Sequence, residues 1–181
     1  MLTLCTGRAL SQCPDAPQAE MLKRSYTGVY VNLAYGFAVT IPLGLAGRDV
    51  DNPLYQRGFT ILFSDPEESL RVYADTNSLD WRSADIAGKE YSRFFIEKAT
   101  RVLSSAAVDT SLDGHQATRI TVHYMCGASQ TQYASISILS LSRDRRFVYV
   151  VRWEGKADKL QSGEDMLGML VRSWHFRKPI G

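Results

Sequence analysis

Between Ser25 and Gly47 the chain carries no charged side chain. A run of 23 uncharged residues has to be shielded from water, either by lipid or by another layer of the same protein. Lipid fits poorly. A helix that spans hydrocarbon needs about 20 mostly apolar residues. This run holds Asn32, Pro42, four glycines, three tyrosines and two threonines. Pro42 breaks a helix, and the apolar residues alternate instead of running on. Phe37, Val39 and Ile41 fall on one face of an extended strand, because side chains alternate across it. "LAYG" just before them reads as a tight turn, with Gly36 free to take a positive φ. The run is therefore predicted to be a β-hairpin, "YTGVYVNL" against "YGFAVTIP", stopped at Pro42. Its lack of charge is read as burial under a neighbouring layer.

The same alternation recurs. Residues 43 to 57 read as a long loop, then "FTILFS" and "SLRVYADT" form a second hairpin around "DPEE". A helix follows, with Ser83 as N-cap and Asp85 at the positive end of its dipole. Ala87, Tyr91, Phe94, Phe95 and Val102 mark its apolar stripe. Asp85/Lys89, Arg93/Glu97 and Glu97/Arg101 are spaced as i,i+4 ion pairs on the other side. "VLSSAAVDTSL" and "HQATRITVHYMC" meet across Asp113-Gly114, a strong hairpin signal. In the second of these strands Ile120, Val122, Tyr124 and Cys126 share one face, and Arg119, Thr121 and His123 share the wetter one. "YASISILSL" and "FVYVVRW" make a fourth hairpin around "SRDRR". Residues 156 to 173 read as a helix buried through Leu160, Leu167, Leu170, Val171 and Trp174, and "SWHF" closes the chain. Each helix has a single apolar stripe and must cover a sheet. The expected fold class is α+β: an antiparallel sheet of about eight strands in hairpins, packed with two main helices.

With 45% hydrophobic and 22% charged residues over 181 positions, one core suffices without metals or staples. The expected organisation is a flexible N-terminal arm over 1–24 and one domain over 25–178. Net charge is only +2, so composition points to neither nucleic acid nor an anionic membrane.

The pattern resembles the PsbP-like superfamily, which includes the DcrB-type bacterial domains. The residues that carry the resemblance are Tyr30, Asn32, Tyr35, Gly36, Phe37, Val39, Ile41 and Pro42 of the early hairpin. Then come the mid-chain helix, the "DG" hairpin, the "VYVVRW" strand and the terminal helix ending in "LVRSWHF". It covers about residues 26–176. The resemblance implies a mostly non-catalytic role as an accessory subunit, adaptor or chaperone of a larger assembly. No binding residue transfers position by position.

Catalytic spacing is sparse. His115, His123 and His175 form no HxH or HExxH pattern, so no metal site is expected. "CGAS" at 126 to 129 is not a nucleophile elbow, and Cys126 and His123 project to opposite faces of a strand. "DVDN" lacks the glycine and distal glutamate of a calcium loop. No cofactor is expected. The basic hairpin tip Arg143, Arg145 and Arg146, joined by Arg172, Arg177 and Lys178, is a candidate anion-binding patch, with a solvated turn as its alternative. The loop residues Arg48, Asp49 and Asp51 are the second candidate binding group.

Of three cysteines, Cys5 and Cys13 lie in the N-terminal arm. Thiols there suggest an oxidising compartment, with a candidate Cys13–Cys126 disulfide; all three being free is the alternative. The expected location is periplasmic or secreted, its leader removed from this sequence, or else cytoplasmic. The expected role is a non-catalytic binding or adaptor protein working through a protein partner. Alternatives are an inhibitor or immunity protein that blocks a secreted toxin or hydrolase, and a small-ligand carrier or enzyme with a pocket lined by His123, Tyr124 or Asp75.

Overall fold

Asp113 and Gly114 both have left-handed backbone, with φ of 47° and 75°. That is the geometry a two-residue hairpin turn needs to match the twist of its strands. It sets the register of the longest hairpin in the computed structural model, which describes residues 24–49, 57–96, 99–126 and 131–178, side chains at 94–96 excepted. In chain order the described elements are β1 (Ser25–Tyr26), β2 (Val29–Asn32), β3 (Phe37–Thr40), β4 (Gly47–Asp49), β5 (Gly58–Leu62) and β6 (Ser69–Thr76). Then come α1 (Ala84–Ile96), β7 (Arg101–Leu112), β8 (His115–Met125), β9 (Gln132–Leu141) and β10 (Phe147–Lys156). A 3-10 turn at Ala157–Lys159 leads into α2 (Leu160–Arg172), and β11 (His175–Phe176) ends the fold.

Eight strands form one antiparallel sheet in the order β1-β4-β5-β6-β10-β9-β8-β7. The chain crosses from β6 through α1 to the far edge, then folds back strand by strand until β10 lies beside β6. A small sheet, β11-β3-β2, holds the uncharged hairpin. The α+β reading is therefore observed, with three strands it did not contain. Ser25–Tyr26 splits from the expected first strand as β1 and pairs with β4. β4 forms within the expected 43–57 loop. β11 forms from "HF", where Phe176 pairs with Phe37 and His175 with Ala38.

The two faces of the large sheet are covered differently. α2 packs on β10, β9 and β3, while α1 packs on β7, β8 and β9. On the α2 side one cluster joins Phe37, Val39, Leu70, Val72, Trp153 and Trp174. Phe37 and Trp174 stack with centroids 4.6 Å apart and planes at 5°. α2 comes close because residue 163 is glycine: a Cβ there would stand 2.3 Å from the Trp153 ring. On the α1 side Ile120, Val122, Tyr124, Leu139, Val148 and Val150 form the second cluster.

The uncharged run is only half buried. Tyr30, Phe37, Val39 and Ile41 are in the core, but Val29 and Val31 on the outer face of β2 are exposed. α1 is shorter than its periodicity suggested. Val102 belongs to β7, as does Arg101, so the expected helical spacing does not run on to Arg101. Arg93 pairs with Glu90 at 2.9 Å, and Lys89–Asp85 forms at 2.7 Å. Ser83 does cap the helix, its Oγ accepting from Ile86 N at 3.3 Å. Residues 1–23, with Cys5 and Cys13, and Glu97 lie outside the described residues, as do the side chains of Phe94 and Phe95. Among the described residues no helix is long and apolar enough to cross a membrane.

Candidate functional site

In an antiparallel meander alternate turns come to the same end of the sheet. The Asp113-Gly114 turn and the 142–146 turn do so here, and β11 brings the chain's C-terminal side to meet them. The three segments enclose a hollow of about 550 Å³. Its apolar surface is aromatic. His115 stacks on Phe176 with centroids 4.1 Å apart, and Phe176 meets the Tyr149 ring edge-on at 4.9 Å. Tyr149 donates its hydroxyl to the Tyr35 carbonyl at 2.8 Å. Burial, with the Asp144 carboxylate nearby, pushes its pKa up to about 12, so it stays a neutral donor.

Arg143, Arg177 and Lys178 line the same hollow and are exposed. A second hollow of about 270 Å³ shares His115, Ser142 and Arg143 with the first and adds Arg82 and Arg145, beside Ser83 at the start of α1. Across both, five cations face two carboxylates, Asp113 and Asp144. Both acids are already engaged. Asp144 accepts from Ser142 Oγ at 2.6 Å and from Arg146 N at 3.2 Å, and these bonds hold its pKa below the usual carboxylate range. Asp113 accepts from Phe176 N at 2.7 Å, pinning β11 to the turn, and lies 3.7 Å from His175 Nδ1.

The structure thus brings Arg143, Arg145, Arg177 and Lys178 together. Arg172 lines neither hollow, and Arg146 lies over the Phe147 ring at 5.4 Å. Sequence reasoning missed Arg82, His115, Tyr149 and Phe176. The signal for the two turns is present in the sequence, since both hairpins are legible there. The signal for Phe176 is not, because "SWHF" reads as a helix end.

The other candidate group is described only in part. Arg48 and Asp49 sit in β4, and Asp49 accepts from Tyr26 Oη at 2.5 Å. Asp51 lies outside the described residues. Cys126 is buried at the end of β8, and its candidate partner Cys13 is likewise outside. His123, Tyr124 and Asp75 do not converge. Asp75 lines a hollow of about 180 Å³ with Trp81 and Tyr91 and pairs with Arg57 at 2.7 Å. Tyr124 lines no part of that hollow and donates to Glu154. Among the described residues no cluster of three metal-ligating side chains exists.

A second feature lies at the sheet edge. β7 is terminal in the strand order, and residues 103 to 111 are all exposed.

Sequence comparison finds no matching family model and no similar curated protein. Structural comparison does find neighbours. CyanoP, the cyanobacterial PsbP of Synechocystis sp. PCC 6803, superposes with a TM-score of 0.54 at 13% identity, over 92% of this chain and 98% of its own. A protein of Bacteroides thetaiotaomicron VPI-5482 matches at 0.53 and 10% identity, over 84% of this chain and 49% of its own. LpqN of Mycobacterium tuberculosis, described as involved in cell envelope biogenesis, matches at 0.45 and 10%, over 82% and 83%. The fold is PsbP-like, as the early hairpin motif implied.

Proposed function

We propose that this protein is a non-catalytic binding module, exported from a bacterial cytoplasm, that takes up an extended segment of a protein partner along β7. The carrying observation is the edge itself. Twelve residues of strand present about 40 Å of backbone. Soluble proteins usually blunt such an edge with lysine, proline or a covering element. β7 has no lysine and no proline, and between Leu103 and Leu112 its only charge is Asp109. Val108, 59% exposed, offers an apolar contact beside a ladder edge that pairs with no other described strand. Strand addition of this kind draws affinity from main-chain hydrogen bonds and specificity from alternate side chains. The family resemblance supports an accessory role, by analogy of fold.

Affinity capture from the native host, with wild type and Val108→Lys in parallel, tests the reading. A stoichiometric partner kept by wild type and lost by the variant is expected. Equal retention by both, or self-association of this chain as the only product, overturns it. Counting thiols in the denatured, unreduced protein tests export: one free thiol is expected if Cys126 is bridged to the arm, and three contradict it.

A further inference from the structure

We infer that the hollow between the Asp113-Gly114 turn, the 142–146 turn and β11 is a binding site for a small organic anion: a carboxylate or phosphate carried on an aromatic or other flat apolar body. This goes beyond the proposed role of β7, which lies at a sheet edge and supplies no lining of the hollow.

Three observations fix the ligand class. The first is size. About 550 Å³ lies within the range of cavities that hold small ligands, and far exceeds what a bare inorganic ion needs. The second is the aromatic surface. Phe176 and His115 already stack on each other, and Tyr149 meets Phe176 edge-on, so a flat apolar group extends an arrangement that exists. The third is charge. Arg143, Arg177 and Lys178 line this hollow, and no hydrogen bond or ion pair ties their side chains to another described residue. The two acids in the lining are held by Ser142, by the Arg146 backbone and by the Phe176 backbone. Three cations around two engaged carboxylates leave donors that no described residue takes up. Arginine's planar fork suits a carboxylate or phosphate in two-point contact. Arg82, Arg145 and the N-terminal end of α1 add positive potential from the adjoining hollow.

The aromatic surface and the cationic rim predict separable losses. Amide shifts in NMR, titrated with phenyl phosphate, benzoate, inorganic phosphate and benzyl alcohol, read them out. Phenyl phosphate and benzoate are expected to move the amides of residues 113–115, 142–145 and 176–178 saturably. Inorganic phosphate and benzyl alcohol should each bind at least about tenfold more weakly, since each lacks one half of the ligand. Arg143→Gln with Arg177→Gln, both exposed and so removable without unfolding, is expected to weaken phenyl phosphate by about a hundredfold. Lys89→Gln, a remote exposed cation, should leave it unchanged. Absence of saturable shifts at those amides overturns the site. Equal binding of inorganic phosphate overturns the organic part of the ligand, and an unaffected double variant overturns the role of the arginines. None of these outcomes depends on whether β7 takes a partner.

Discussion

The two faces of the large sheet are covered by different chemistry. Under α2 the fully buried contacts are mainly aromatic and aliphatic, with Phe37, Tyr149, Trp153 and Trp174 in one cluster. The Arg119–Glu164 ion pair sits at its partly exposed margin. Under α1 the strands bring charge inside. Arg152 and Glu154 are 5% and 4% exposed, with Arg152 Nη2 2.6 Å from Glu154 Oε2. Tyr124 donates to Glu154, Arg152 Nε donates to Ser135 Oγ at 3.3 Å, and the Tyr73 and Tyr91 hydroxyls meet at 2.8 Å. Burial opposes the charge on Arg152, but Glu154 and the surrounding tyrosines outweigh it and raise its pKa. Burial and the Glu154 carboxylate raise that of Tyr124. One strand serves both faces. In "FVYVVRWEGK" Tyr149, Val151 and Trp153 point to α2, and Val148, Val150, Arg152 and Glu154 to α1. The difference teaches that the α2 face supplies net stability, while the polar face mainly has to avoid unmatched charge.

The largest effect should come from the apolar face. Trp153 is fully buried, and its indole N–H donates to Glu68 Oε1 at 3.1 Å. Trp153→Ala opens a cavity under α2 and orphans that acceptor. The expected loss is about 5 kcal/mol, the upper end for a buried aromatic. Urea unfolding measures it. A loss below about 2 kcal/mol, on the same scale, would mean that α2 is not anchored here.

On the polar face the prediction has two arms. Glu154→Gln leaves Arg152 charged and buried, at an expected cost of about 3 kcal/mol. That is the lower end for a broken buried pair, because Ser135 still accepts from Arg152 Nε. Replacing the whole unit, Arg152→Met with Glu154→Leu and Tyr124→Phe, removes both charges and the hydroxyl that would lose its acceptor. That variant should fall within about 1 kcal/mol of wild type. If it is as unstable as Glu154→Gln, the polar network contributes net stability and the contrast between the faces fails.

How much of this was legible in the sequence follows from the range of the forces. Strand alternation and turn chemistry are local, so the Asp113-Gly114 hairpin, the face shared by Ile120, Val122, Tyr124 and Cys126, and the stripe of α2 could all be read. Pairing between distant segments is not local. Nothing near Gly47 announces that β1 and β5 will flank it, and nothing near Phe176 announces Phe37. Val102 fell on the helical period by chance, and only the sheet shows that it belongs to β7. For the candidate site, the cations at 143, 145, 177 and 178 were visible as residues. Their meeting with an aromatic surface needed β11. "DPEE" reads in the sequence only as a hairpin turn, and there the structure adds a second role.

That turn joins the two faces. Glu67 accepts from Tyr133 Oη at 2.8 Å on the α1 side, and Glu68 accepts from Trp153 on the α2 side. Lys156 and Lys159, at the entry to α2, clamp it. Lys159 lies 3.0 Å from Asp65 and 2.9 Å from Glu68, and Lys156 lies 2.9 Å from Glu67. Asp65 also accepts from the Glu67 backbone N–H at 3.0 Å. That bond first, and the two lysines after it, lower its pKa to about 2; Lys156 and Tyr133 lower that of Glu67. A carboxylate depressed in the fold stabilises it above the unfolded pKa, near 4, and that stability is lost as pH falls through the folded value. The clamp should therefore weaken between about pH 4 and pH 2. Asp65→Asn keeps the acceptor for Glu67 N and removes the charge. Urea midpoints taken at pH 7, 4, 3 and 2 should show the variant slightly less stable at pH 7, with a shallower fall below pH 4. The effect is expected to be the smallest of the three, because these groups are partly exposed and screened. Parallel acid curves for variant and wild type would place the acid sensitivity elsewhere, and with it the link between the faces.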